Sequence, residues 1–405
     1  MNGADTVFIL LSSALVMFMT PGLALFYGGL TRSKNVLGTI MQSFITLGLV
    51  GLIWPLWGYS LAFGSDLWGL IGGFDFLFLK GVGQEPNPDL AGNIPHLLFM
   101  VFQCMFAVIT VALISGAFAE RMKFGAFLAF TVLWSTFVYS PLCHWVWGGG
   151  WMGSIGALDF AGGAVVHMSS GSAALACALV MGPREGFGQR PFIPHNLPMT
   201  ITGAAILWFG WFGFNAGSAL AADGLAVNAF VTTHLAAAMA VLGWLIVETW
   251  HRGKPTTLGA ASGAVAGLVA ITPAAGFIGP QSSMILGVGA GGICYAGVLL
   301  KERLRYDDSL DVVGIHGLGG IWGALGTGLF ASTAVNSGGA DGLFAGNPAQ
   351  LWIQLVSVIG TCVFSFVISY VLLQILDRTI GLRLAPEEEE EGLDLSQHSE
   401  TGYKF

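Results

Sequence analysis

The sequence predicts an all-α polytopic membrane protein, on three observations. First, 54% of its 405 residues are hydrophobic and only 9% charged, with a mean hydropathy of +0.74, a balance that leaves too little polar surface to cover a water-soluble fold. Second, the apolar residues gather into stretches of the length, about 20 residues, that crosses a bilayer. Third, basic residues fall on alternate connections between those stretches, as they do when one side of the membrane retains positive charge.

Eleven stretches are read along the chain: 6–30, 36–63, 96–119, 124–143, 159–181, 197–220, 225–250, 257–277, 281–300, 311–331 and 350–376. The first is followed, not preceded, by Arg32 and Lys34 and has no small-residue cleavage site, so it reads as a retained helix rather than a leader. The pairs Arg121/Lys123, Arg184/Arg190 and Arg252/Lys254, then Lys301/Arg303/Arg305, separate later stretches and share a face with Arg32/Lys34. Arg378, Arg383 and Lys404 in the tail join them, and Lys80 lies opposite. An odd number of crossings then sets the N-terminus outside and the C-terminus in the cytoplasm. Residues 1–380 form the membrane domain, and 381–405, with five consecutive acids from Glu387 to Glu391, form a cytoplasmic tail expected to be solvated and mobile.

Cys104, Cys143, Cys177, Cys294 and Cys362 are scattered without C-x-x-C spacing and read as small core residues. A net charge of −8 gives no footing for nucleic acid. The sixty glycines let helices approach closely where water cannot drive association. Segments five and ten open alike, with Leu158-Asp159 and Leu310-Asp311, and each delivers a histidine soon after, His167 and His316. This predicts two inverted five-helix repeats plus a final helix, with the working site near the midplane.

Those histidines stand in runs of Gly, Ala, Ser and aliphatics, where an imidazole is costly unless it faces a partner or a cavity. Phe102 and Phe106, four apart, share a helix face. His144-Trp145-Val146-Trp147 followed by three glycines puts indoles at the outer interface, and an indole face attracts a small cation by about 0.5–2 kcal/mol. The phrase Gly210 to Ser218, again towards the outer side, adds another ring and a hydroxyl acceptor. The remaining histidines, His96, His144, His195, His251 and His398, lie near ends, loops or tail, and His234 has no evident role.

Several phrases together resemble the Amt family of bacterial ammonium transporters: Pro21-Gly22 with Phe26-Tyr27-Gly28-Gly29-Leu30, Ala119-Glu120-Arg121, Val146 to Gly150, Leu158 to Gly163, Gly210 to Ser218, Thr272-Pro273, and Asp311 to Gly317. They run in order from the first segment to the tenth. The resemblance implies a recruitment site for ammonium at Phe106, Trp147 and Ser218, a gate of Phe106 stacked on Phe214, and an apolar pore where His167 and His316 share a hydrogen bond and relay a proton. It gives Asp159 an orienting role, with Phe102 beside the gate. It further implies no catalytic group, metal or cofactor, and a homotrimer in the cytoplasmic membrane with one pore per subunit. A PII-type regulatory protein would act at the inner face. Ammonium or ammonia is the implied cargo, with methylammonium as a further candidate.

Physical chemistry agrees with that assignment. Ammonium can shed a proton and cross an apolar lumen as neutral ammonia, avoiding the cost of a bare ion in low dielectric, whereas potassium cannot. Two neutral imidazoles joined by one hydrogen bond leave one free nitrogen each. The competing expectations are an ammonium sensor of the same fold, for which only the acidic tail follows Gly381, and a Rhesus-type neutral ammonia channel, against which Trp147 argues. An intramembrane metal site or enzyme would need a third His, a Cys or a Glu beside the histidines.

Overall fold

Asn2 starts the first helix by accepting the N–H groups of Ala4 and Asp5 on its side-chain oxygen, filling two of the four bonds a helix end leaves open. Asp223 does the same further along, Asn196 and Thr256 each accept one such N–H, and Gly253, at a φ of 82°, closes a helix in the left-handed region that suits glycine. In a computed structural model that describes residues 1–403, these signals delimit α1 (Gly3–Leu30), α2 (Ser33–Phe63), α3 (His96–Ala117), α4 (Phe124–Ser154), α5 (Gly163–Met181) and α6 (Leu197–Gly217). They continue with α7 (Gly224–Arg252), α8 (Thr257–Ile271), α9 (Pro280–Leu304), α10 (Val313–Phe330) and α11 (Pro348–Thr379).

Ten of these, among the described residues, are long and apolar enough to cross a membrane; α8 is shorter. The expected 257–277 stretch is regular helix only to Ile271, because Pro273 brings no N–H to the ladder. The chain continues to Ile278 in successive turns. The fourth stretch runs on beyond 143 to Ser154. Proline also accounts for the wide turns inside α2 and α4. Pro55 lies in the turn Trp54–Gly58, and Pro141 follows the turn Ser135–Tyr139, where the Ser140 hydroxyl donates to the Ser135 carbonyl at 2.9 Å.

Backbone proximity organises the bundle. Built on Gly203 of α6, a Cβ would lie 2.3 Å from the Phe26 nitrogen of α1, and on Gly287 of α9 it would lie 2.3 Å from the Ala236 carbonyl of α7. Between α5 and α10 the approach is equally close, since a Cβ on Gly171 would meet the Gly317 Cα at 2.4 Å. Such contacts replace the hydrophobic drive that lipid cannot supply. On the other flank, α11 lies along α5, the Ser365 hydroxyl donating to the Ser169 carbonyl, while Gln354 bonds both the N–H and the C=O of Leu158 at 2.7 and 2.8 Å. The five cysteines are free, four of them buried.

At the tail end of the helices the loops are joined by buried charges. Glu120, 1% exposed, binds Arg32 and Arg184, and Arg184 also binds Asp307 at 2.9 Å. Arg121, wholly buried, donates to the Asp307 carbonyl and the Ser309 hydroxyl. The acidic tail is not a free solvated stretch. It folds into α12 (Pro386–Glu391) and α13 (Leu393–His398), with Glu389 buried against Arg383 and accepting the Glu185 N–H, and Asp394 accepting the Gly38 N–H. The expectation of mobility fails because two of the acids have specific donors waiting in the loops.

Burial alone would raise the Glu120 carboxyl, but Arg184 and Arg32 outweigh it and hold it below the usual carboxylate range. Asp307 is likewise held low by the hydrogen bonds of Arg184 despite its burial. Both therefore contribute stability that is complete above the ordinary carboxylate range and is lost as pH falls through their depressed values. Glu120→Ala leaves two guanidinium groups without this partner and should cost about 3–5 kcal/mol, read as a lowered unfolding temperature in detergent. The deficit should shrink as acid protonates Glu120 in the unmodified protein.

Candidate functional site

Gly162, at a φ of 111°, turns the chain into α5, and the carboxylate of Asp159 receives the backbone N–H groups of Gly162, Gly163, Ala164 and Val165 at 2.6–3.3 Å. One side chain thus fills the donors that a helix start leaves without intrahelical partners. The first turn, Gly163–Met168, is wide, with the His167 N–H reaching back five residues to the Gly162 carbonyl. In α10 the turn Val313–Gly317 has the same form and carries His316. Wide turns of this kind shift the side chains after them out of ordinary helical register.

The carboxylate serving α10 is Asp308, which accepts the Val313 N–H at 2.7 Å. Asp311, matched to Asp159 by the Leu-Asp dipeptide, instead pairs with Lys301 on α9. The informative spacing was from aspartate to histidine, eight residues in both segments, 159 to 167 and 308 to 316. Burial pushes the Asp308 carboxyl up to about 6 against the pull of Lys301.

His167 and His316 meet with Nδ1 atoms 3.2 Å apart and rings stacked at 5.3 Å. One Nδ1 donates and the other accepts, so the pair shares one proton on this bond. Trp211 stacks on His167 at 5.4 Å and anchors its indole N–H on the Thr272 hydroxyl. The Nε2 of His167 is buried without a hydrogen-bond partner among the described residues. Both imidazoles line a narrow cavity with Leu23, Ile109, Leu207 and Phe214. Its volume, about 10 Å³, is near the least that holds one water-sized molecule.

Phe214 lies against Phe106, ring centroids 4.2 Å apart. Phe106 belongs to a second cavity of about 330 Å³ that opens on the N-terminal side, with Trp147, Phe160, Ser218, Gln103 and Asp89 in its wall. Because Phe106 lines the wide space and Phe214 the narrow one, this pair of rings, tilted by 32°, is the partition between them. Trp147 meets Phe106 edge to face at 6.0 Å and is fixed by its indole N–H on the Asp159 carbonyl. The Ser218 hydroxyl donates to the Phe214 carbonyl, leaving its oxygen free to accept. Phe102 is fully buried and supports Phe106 from behind at 5.0 Å, outside the cavity wall.

Trp147, Phe106, Phe214, Ser218, His167 and His316 therefore stand in one column, with Asp159 and Phe102 one layer behind. Residue-by-residue reading passed over Trp211, Phe160, Gln103 and Asp89. Trp211 and Gln103 carried a signal, each three residues before a gate phenylalanine on the same helix, Phe214 and Phe106; Phe160 and Asp89 reach the wall through the tertiary packing of connections. Of the remaining histidines, His96 and His144 are buried rather than peripheral, with His96 bonded to the Tyr59 hydroxyl. His234 packs on Trp208 and Phe212.

Sequence and structure comparisons bear on this column. The sequence model of the Ammonium Transporter Family matches residues 7–403. An ammonium transporter of Bacillus subtilis is 54% identical over 100% of this chain and 99% of its own length. The ammonium transporter Amt1 of Archaeoglobus fulgidus is 47% identical, with 100% of both chains covered. Among solved structures, Candida albicans Mep2 superposes with a TM-score of 0.91 at 38% identity, covering 96% of this chain and 88% of that one. One titled Sensor Amt Protein gives 0.89 at 29% identity, covering 98% of each.

Asp159→Ala removes the acceptor of four backbone N–H groups and should destabilise the fold by about 2 kcal/mol, with Asp159→Asn intermediate. Thermal unfolding of the purified variants in detergent measures both, and unfolding temperatures equal to the parent's would contradict the capping role.

Proposed function

The chain belongs to the Ammonium Transporter Family, and from that premise we propose that it takes up ammonium through the aromatic column and conducts it as ammonia past the paired histidines. The observation that carries the reading is the partition itself. A space rimmed by rings and a hydroxyl, suited to a small cation, is separated by two closely packed phenyl groups from a space suited to a small neutral molecule.

In this reading Trp147 and Phe106 offer ring faces and Ser218 an acceptor oxygen, so the cation exchanges water for protein contacts. Beneath Phe106 and Phe214 no carboxylate of the described residues lines the narrow cavity, and a bare cation there would carry a large desolvation cost. Ammonium avoids that cost by leaving its proton behind. His167 and His316, neutral and sharing one hydrogen bond, keep nitrogen atoms toward the lumen and can pass the proton on. Asp159 orients α5 at the entrance and Phe102 backs the gate. No chemical step beyond proton transfer is required, which fits a transporter and not an enzyme.

The proposal includes eleven crossings, with α8 counted although it is short, as two inverted five-helix halves plus α11. The N-terminus lies outside and the tail in the cytoplasm, in the cell membrane. The Asp-to-histidine spacing shared by α5 and α10 supports the repeat, and the basic residues on the tail side support the orientation. A homotrimer, a PII-type partner on the inner face and methylammonium as a second cargo complete the reading. A sensor role is the alternative; in that case binding would persist in the absence of transport.

In proteoliposomes, Trp147→Leu should raise the ammonium concentration for half-maximal current by up to about thirtyfold, the equivalent of a desolvated cation–π contact near 2 kcal/mol. His167→Ala should abolish the current or uncouple it from proton movement. Unchanged ammonium-evoked currents in both variants would overturn the proposal.

A further inference from the structure

His144, three residues before Trp147, is wholly buried yet bonded at both ring nitrogens. Its Nδ1 lies 2.9 Å from the Ala62 carbonyl oxygen and its Nε2 2.8 Å from the Asp66 carboxylate. A carbonyl only accepts, and so does an ionised carboxylate. The Asp66 side chain is 44% exposed and already accepts the Gly69 N–H on both oxygens. Neutral imidazole has one donor and one acceptor nitrogen, so it cannot satisfy both partners, whereas imidazolium donates twice.

We infer that His144 is a buried imidazolium clamped by Asp66, and that this clamp is a second positioning element, beside the indole bond to the Asp159 carbonyl, that holds Trp147 over the recruitment cavity. The connection runs through the backbone. The His144 carbonyl accepts the N–H groups of Gly148 and Gly150, which form the turn just after Trp147. Gly148 is pressed onto the same contact, since a Cβ there would lie 2.0 Å from the Ala62 oxygen and 2.7 Å from Nδ1. A small hairpin, β1 (Asp66–Leu67) and β2 (Ile71–Gly72), grips the turn at two further points, where its Leu70 carbonyl accepts the Trp145 indole N–H and its Gly69 carbonyl the Trp151 N–H. Of the three bonds joining hairpin to turn, only the one from His144 depends on charge.

Other titratable groups around the clamp have their own partners. Asp75, beyond the hairpin, accepts the Ser65 N–H, and Tyr59, on the helix that supplies Ala62, shares its proton with His96. Asp66 is thus the charged group that meets His144, and its exposure lets water on the N-terminal side reach the pair. Deprotonation of the imidazole would turn one bond into a contact between two acceptors and loosen the turn that carries Trp147. Affinity for the cation would then fall as the pH on that side rises.

This inference rests on the recruitment role proposed for Trp147. The test compares ammonium-evoked currents of the parent protein, Asp66→Asn, Asp66→Glu and Trp147→Leu in proteoliposomes, over a pH range where the cargo stays a cation. Asp66→Asn should raise the half-saturating concentration about three- to tenfold, as expected for loss of one charge-assisted hydrogen bond at a partly exposed site, with maximal current retained. Its half-saturation should no longer vary with pH, and Asp66→Glu should restore the parent's dependence. Parental half-saturation and pH profile in Asp66→Asn would overturn the inference, as would a loss confined to maximal current or folded yield. Should Trp147→Leu leave half-saturation unchanged, the recruitment reading is what fails. Nitrogen-15 spectra, with His144→Gln assigning the signal, then decide the clamp alone: two protonated ring nitrogens support it and one bare nitrogen excludes it.

Discussion

The backbone contact between α5 and α10 at Gly171 and Gly317 is the constraint on which the column depends. A side chain larger than hydrogen at Gly171 would press on the Gly317 backbone and spread the two helices, and the hydrogen bond between His167 and His316 tolerates little spreading at 3.2 Å. With the helices apart, each imidazole would be a lone polar group among aliphatic residues, a costly arrangement without a function. Held together, each satisfies the other on one nitrogen and has the second left over. The absence of a side chain at Gly171 thus sets the chemistry of the narrow cavity.

Much of this was legible in the sequence, for definable reasons. Length and apolarity mark a crossing helix directly, so α1 to α7 and α9 to α11 match the expected segments closely, apart from the extension of α4. α8 was overestimated because Gly and Ala continue past the point where Pro273 interrupts the helical ladder. His167 and His316 were identifiable as exceptions within monotonous surroundings, whereas Phe106, Phe214 and Trp147 sit among other aromatics and were singled out only through the resemblance. What escaped was what only assembly creates: Trp211 stacked on an imidazole, Gln103 and Asp89 brought to the vestibule wall, and Asp308 in place of Asp311 as the second helix-capping carboxylate.

The charged residues show the same limit. A run of five glutamates has the composition of a solvated segment, and nothing local distinguishes Glu389 from its neighbours. Its partner Arg383 lies six residues back, and the Glu185 N–H comes from a loop some two hundred residues away. Similarly, His144 resembles an interface residue in a Trp-rich connection until the hairpin folds Asp66 onto it. Ion pairs at the tail end of this bundle tie distant connections together, whereas the middle is assembled by close packing around the paired histidines.

Shedding a proton at the phenyl partition is the central claim, and ion selectivity tests it most directly. With ammonium and potassium applied at equal gradients to the same proteoliposomes, the account predicts current from ammonium and none from potassium, which has no proton to lose. A potassium current of comparable size would mean that intact cations pass the narrow cavity, and would contradict the account.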